Sequence, residues 1–119
     1  MPAERITLGQ IAHARSGDKG NHANIAVVAY SAAGFDFLGE ELTAERVGDF
    51  FRSLGVNDVK RYELPNLWAL NFVLRDALVG GASQSLRIDT QGKLLGTAVL
   101  ELELPRPENF GAMRADDLT

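Results

Sequence analysis

The amino-acid sequence predicts an α+β sandwich, a mostly antiparallel sheet with two helices on one face, in the order ββαβαββ. Three observations lead there. Short β-rich runs, of which Asn24–Tyr30 is the clearest, recur along the chain. Two longer runs carry helical apolar spacing. Glycine, proline and asparagine punctuate the boundaries between them. At 119 residues the chain is expected to form one domain over 1–119.

The first strand is expected over 6–14, with Ile6 and Leu8 on one face. The second follows over 24–30. Between them lies Arg15-Ser-Gly-Asp-Lys-Gly-Asn-His22, rich in turn formers and longer than a hairpin needs. Ser31-Ala-Ala-Gly34 reads as a turn. Thr43 is placed to cap a helix whose Val47, Phe50, Phe51 and Leu54 fall at i, i+3, i+4 and i+7, and Gly55 suits its end. A charged strand near an edge is expected over 56–64, stopped by Pro65-Asn66.

A second helix is expected over 67–79. Leu67, Leu70, Leu74 and Leu78 line one side, and Trp68, Phe72, Val73 and Val79 cover much of the rest. Trp68 and Phe72 are therefore its interface candidates, as aromatic anchors for another chain. Gly80-Gly81 ends it. A strand is expected from Leu86, a turn over Asp89–Lys93, and a half-buried strand where Ala98, Leu100, Leu102 and Leu104 alternate with Val99, Glu101 and Glu103. The tail, 105–119, reads as irregular. A β-α-β-α-β core with an added hairpin strand fits a ferredoxin-like plait.

Composition excludes several classes of function. Hydrophobic residues make up 45% and charged residues 24%, too apolar for a disordered chain. There is no cysteine, hence no thiol nucleophile, disulfide or thiolate metal site. Net charge is −4, which disfavours nucleic acid, because phosphate binding needs a basic face. No apolar run approaches the roughly 20 residues that span a bilayer, and Met1–Arg5 lacks an apolar leader core. A cytoplasmic protein with no nucleic-acid or membrane partner is the expectation.

Charge is uneven. Acidic residues dominate 36–49 and the tail, whereas 5–24 holds Arg5, Arg15 and Lys19 against Asp18 alone. This basic stretch coincides with the loop. Gly17 and Gly20 would let main-chain N–H groups form a concavity, Arg15 and Lys19 supply charge, and Ser16, Asn21 and Asn24 supply neutral hydrogen bonds. That combination suits an anion such as phosphate, carboxylate or the phosphates of coenzyme A. The spacing is not that of a Walker A loop. The plain alternative is a β-connection in which Asp18 pairs with Arg15 or Lys19. Only His13 and His22 are imidazoles, too few for a metal site to be expected, and no cofactor is implied.

The run Ile11-Ala-His-Ala-Arg-Ser-Gly-Asp-Lys-Gly-Asn-His-Ala-Asn-Ile25 resembles the start of the small C-terminal domain of the acyclic terpene utilisation proteins, the AtuA family. The likeness continues in Tyr62-Glu-Leu-Pro-Asn-Leu67, Ala69-Leu-Asn-Phe-Val-Leu74, Gly80-Gly81, Leu86-Arg-Ile-Asp89 and Gln91-Gly-Lys93. The resemblance implies a ferredoxin-like fold, a stand-alone version of that domain and a role in acyl-CoA or terpenoid breakdown. It supplies no catalytic residues. Two functions follow as expectations. One is an accessory subunit that binds a larger AtuA-like subunit or itself. The other is an enzyme in which Asp18, Lys19 or His22 moves a proton, in hydration or isomerisation of an acyl-CoA or carboxylate.

Overall fold

The computed structural model describes residues 5–19, 22–52, 56, 58–75 and 94–114. Four strands form an antiparallel sheet in the order β2-β3-β5-β4. They are β2 Ala12–Lys19, β3 His22–Ala29, β4 Val59–Leu64 and β5 Ala69–Leu74. Two short strands, β1 Arg5–Thr7 and β6 Glu103–Pro105, pair separately and antiparallel. The helices are α1 Ala32–Glu41, α2 Ala44–Phe50 and α3 Leu94–Val99. This is an α+β, ferredoxin-like arrangement. β3 and β4 run parallel, with β5 between them and α1 and α2 in the connection, a split β-α-β unit. The hairpin strand β2 takes the outer place beside β3.

Among the described residues, the sheet has one covered face and one open face, with no helix over the latter. Along β3, Ala23, Ile25, Val27 and Ala29 are buried while His22, Asn24, Ala26 and Val28 are half-buried. Ile25, Val27, Leu70, Phe72 and Leu74 from the sheet join Leu38, Val47, Phe51 and Val99 from the helices in one core. Each such side chain contributes about 1.5–3 kcal/mol by leaving water.

The expected first strand is broken. The Gln10 side chain accepts from the Thr7 N–H (2.8 Å), and residues 8–10 form a 3-10 turn that separates β1 from β2. Leu8 and Gly9 N–H groups then bond the carbonyls of Leu102 and Leu100, both at 2.9 Å. Ser31 begins a helix rather than a turn. Its Oγ accepts from Gly34 N–H at 2.9 Å and caps α1. The Thr43 cap stands as expected, with Oγ1 accepting from Arg46 N–H at 3.0 Å. Val47 and Phe51 face inward from α2 and its end, whereas Phe50 is exposed.

The helix expected over 67–79 is the largest correction as far as Arg75, and 76–79 lie outside the described residues. Pro65–Leu67 is a 3-10 turn, Trp68 sits in the left-handed region (φ 52°), and β5 follows as a central strand. Leu70, Phe72 and Leu74 alternate onto the core, and a run this apolar fits a central strand as well as a buried helix. The strand expected through Ala98–Leu104 is also replaced. Ala98 and Val99 end α3, and only Glu103–Pro105 is strand. The tail contains a 3-10 turn, Phe110–Met113, with Phe110 and Met113 buried. Leu54, Gly55, Gly80-Gly81, the strand from Leu86 and the turn over 89–93 lie outside the described residues.

Arg61 on β4 ties the edge strand to the helices. Its guanidinium donates to the carbonyls of Gly39 (2.9 Å) and Leu42 (3.1 Å) at the end of α1, where carbonyls lack intrahelical partners. Phe72→Ala should lower the unfolding free energy by about 3–5 kcal/mol. Arg61→Ala should cost about 1 kcal/mol. Urea denaturation followed by circular dichroism checks both.

Candidate functional site

Most of the expected loop is strand. β2 runs through Lys19 and β3 begins at His22, in register Arg15↔Ala26, Ser16↔Ile25, Gly17↔Asn24, Asp18↔Ala23 and Lys19↔His22. Gly17 does not adopt a left-handed φ, and a Cβ there would meet the Asn24 Oδ1 at an ordinary 3.7 Å. A concave cradle built on Gly17 is therefore corrected to extended ladder. Asp18 and Lys19 end β2, and Gly20 and Asn21 lie outside the described residues.

A strand sends successive side chains to opposite faces, and this divides the motif. Ser16, opposite the buried Ile25, belongs to the covered face. Its Oγ accepts from the Gly96 N–H of α3 at 2.8 Å. The helix comes so close that a Cβ at Gly96 would lie 3.0 Å from the Arg15 carbonyl carbon and the Ser16 nitrogen. Ser16 thus serves the first turn of α3, where N–H groups lack intrahelical acceptors. Arg15 lies on the other side, exposed on the open face.

The pairing register lays out that face in rows. Arg15, Ala26, Asn71 and Tyr62 form one, and Gly17, Asn24, Val73 and Lys60 the next. Asn24 Nδ2 donates to Asn71 Oδ1 at 3.2 Å and joins the rows diagonally. His13 is exposed nearby and stacks at a tilt on Tyr30, with centroids 5.5 Å apart. Arg15 and Asn24 are thus brought to one surface and Ser16 is taken away from it. Asn71, Tyr62 and Lys60 complete the surface. Reading 67–79 as a helix hid the part of Asn71, but the alternation of Leu70, Phe72 and Leu74 would have put Asn71 on the opposite face.

Of the interface candidates, Phe72 is fully buried and cannot contact another chain. Trp68 is 43% exposed. Its left-handed backbone costs about 1–2 kcal/mol for a residue with a Cβ, and its carbonyl accepts from the Ala29 N–H at 2.9 Å.

Among the described residues, cavities of about 380 and 270 Å³ lie elsewhere. The larger is lined by residues of α2 and the start of β4, including Glu45, Asp49 and Arg52. The smaller lies between α1 and the C-terminal turn, beside Asp36, Glu40 and Met113. Neither is lined by a described residue of the motif. Among the described residues, no three of His, Asp and Glu come together as metal ligands would. The described groups on the open face are a guanidinium, an amide pair, a phenol, an ammonium and the imidazoles of His13 and His22, which can bind through hydrogen bonds and charge.

Gly96→Ala should destabilise the fold by about 1–3 kcal/mol, because main chain rather than a flexible side chain must give way. Ser16→Ala should cost about 1–2 kcal/mol, and Arg15→Ala less than about 0.5 kcal/mol. Thermal unfolding of the three variants separates the inward and outward members of the motif.

The family model described as the AtuA ferredoxin-like domain matches residues 6–105. Searches of curated proteins and of solved structures returned no match.

Proposed function

The chain belongs to the AtuA ferredoxin-like domain family, and we propose that it acts as an accessory module in acyl-CoA or terpenoid breakdown, docking on a larger AtuA-like subunit through the open face of its sheet. The observation that carries this reading is the outward placement of Arg15 beside the Asn24–Asn71 amide pair, on a surface with small residues at Gly17 and Ala26. Such a face offers charge and hydrogen bonds over an extended area, as protein contacts do. Arg15 gives it an anchor for a carboxylate of the partner, or for a carboxylate or acyl-CoA ligand shared with it.

Proton transfer on an acyl-CoA would need a cleft that gathers Asp18, Lys19 or His22 around the reacting carbon. The two cavities described above lie beside α2 and α1. The cross-strand set of Arg15, Asn24 and Asn71 supports binding.

Co-expression with a larger AtuA-like subunit tests it. A stoichiometric complex should co-purify, and Arg15→Glu should weaken it at least about tenfold by removing the charge match while the melting curve stays unchanged. A complex indifferent to Arg15→Glu, or acyl-CoA turnover by the isolated chain, would overturn the proposal.

A further inference from the structure

The outer edge of β4 has a hydrogen-bonding phase that its sequence can match with a second copy of itself. The phase comes from one contact. The Arg75 N–H donates to the Asp58 carbonyl at 2.9 Å, just past the Val59↔Leu74 pair. In an antiparallel ladder, residues whose main-chain groups meet the partner alternate with residues whose groups turn away. Asp58 turns toward β5, and so do Lys60, Tyr62 and Leu64. Val59, Arg61 and Glu63 turn their N–H and C=O groups outward, and no described strand lies beyond β4.

We infer that two copies of this chain pair antiparallel along β4, with Tyr62 on the twofold axis, to make one continuous eight-stranded sheet. The register follows by elimination. A twofold normal to the sheet sets one residue directly opposite its own copy. Lys60, Arg61 or Glu63 on the axis would put like charges face to face, which is destabilising. Leu64 on the axis would set Pro65, which has no N–H, opposite Glu63 in the pairs beside the axis, whereas Tyr62 on the axis leaves Pro65 at the ladder's end opposite Val59. Val59 on the axis would engage only the start of the strand.

Tyr62 on the axis places Arg61 of each copy opposite Glu63 of the other. These are the outward-turned residues, so each pair exchanges two main-chain hydrogen bonds and carries opposite charges. The Arg61 guanidinium is already held by the Gly39 and Leu42 carbonyls, and its Glu63 contact within the chain is 3.1 Å. The Arg61 side chain is therefore ordered before the copies meet, which reduces the entropy lost on association. On the open face, Tyr62 meets Tyr62 and Lys60 meets Leu64. That covers two exposed large residues, Tyr62 at 52% and Leu64 at 42%. Leu67 and Trp68 continue the exposed apolar surface from the end of β4. Pairing also occupies an open edge that would otherwise invite uncontrolled strand addition. This inference is argued from the β4 edge and does not rest on the docking proposal, whose anchor is Arg15, although both surfaces include Lys60 and Tyr62.

The chain has no cysteine, so one introduced thiol reports only on its own copy. In the proposed register the two Tyr62 Cα atoms stand about 4.5 Å apart, within the range a disulfide spans. Tyr62→Cys should cross-link under mild oxidation. Lys60→Cys and Leu64→Cys, each about 13 Å from its own copy along the strand, should cross-link only when the two variants are mixed. The unmodified chain should sediment at twice its monomer mass. Glu63→Arg should raise the dissociation constant at least about tenfold by opposing two arginines, with an unchanged circular dichroism spectrum. A wild-type chain that sediments as a monomer throughout would overturn the proposal, as would a Tyr62→Cys variant that cross-links no faster than Lys60→Cys.

Discussion

β5 has a hydrogen-bonded neighbour along each edge, and that double pairing places the rest of the sheet. Its main chain is committed to β3 on one side and β4 on the other, so its side chains must divide between two faces. Leu70, Phe72 and Leu74 take the covered face, where Leu38, Val47 and Phe51 of the helical layer meet them in one core. Asn71 is thereby set on the opposite face, opposite Tyr62 and within reach of Asn24. The same pairing leaves β4 as an outer strand. The core, the amide pair and the outer position of β4 among the described strands are consequences of one strand's position.

The covered face is held at its margins by polar contacts that apolar packing would not supply. Ser16 accepts from the main chain of α3, and Arg61 donates to the last carbonyls of α1. Both reach across the sheet–helix boundary to groups that a helix end leaves without partners. Ser31 and Thr43 do the same work locally, each three residues from the N–H it accepts. Local and long-range caps differ in what they fix. The local caps decide where a helix starts, whereas Ser16 and Arg61 decide where it sits on the sheet.

That difference also explains what could be read from the residues alone. The Thr43 cap and the Val47–Phe51 stripe are local, and α2 follows from them. The hairpin, the edge position of the strand expected over 56–64 and found over Val59–Leu64, and the α+β class were legible for the same reason. α1 was not, because Gly34 and Gly39 lower its helical propensity and Phe35 and Phe37 blur its stripe. β5 was not, because leucines at 67, 70, 74 and 78 satisfy a helical period while 70, 72 and 74 satisfy a strand period. Only the pairing with β3 and β4 chooses between them. The split of the motif between two faces was illegible too, since it depends on reading 15–19 as strand. Arg61 gave no signal, because its partners lie 19 and 22 residues away.

Reading Arg15–Lys19 as strand also changes what the run can do. In a loop, Arg15 and Ser16 could converge on one anion. In a strand, neighbouring side chains point apart, so these two cannot share a ligand. Ser16 is required by the fold, and Gly96 is its counterpart, because a larger residue there would push α3 off the strand. Arg15 is left to the surface. What that surface offers is therefore a cross-strand set, Arg15, Asn24, Asn71 and Tyr62, rather than a single loop. These residues stand far apart in the sequence, and the sheet register alone makes them neighbours.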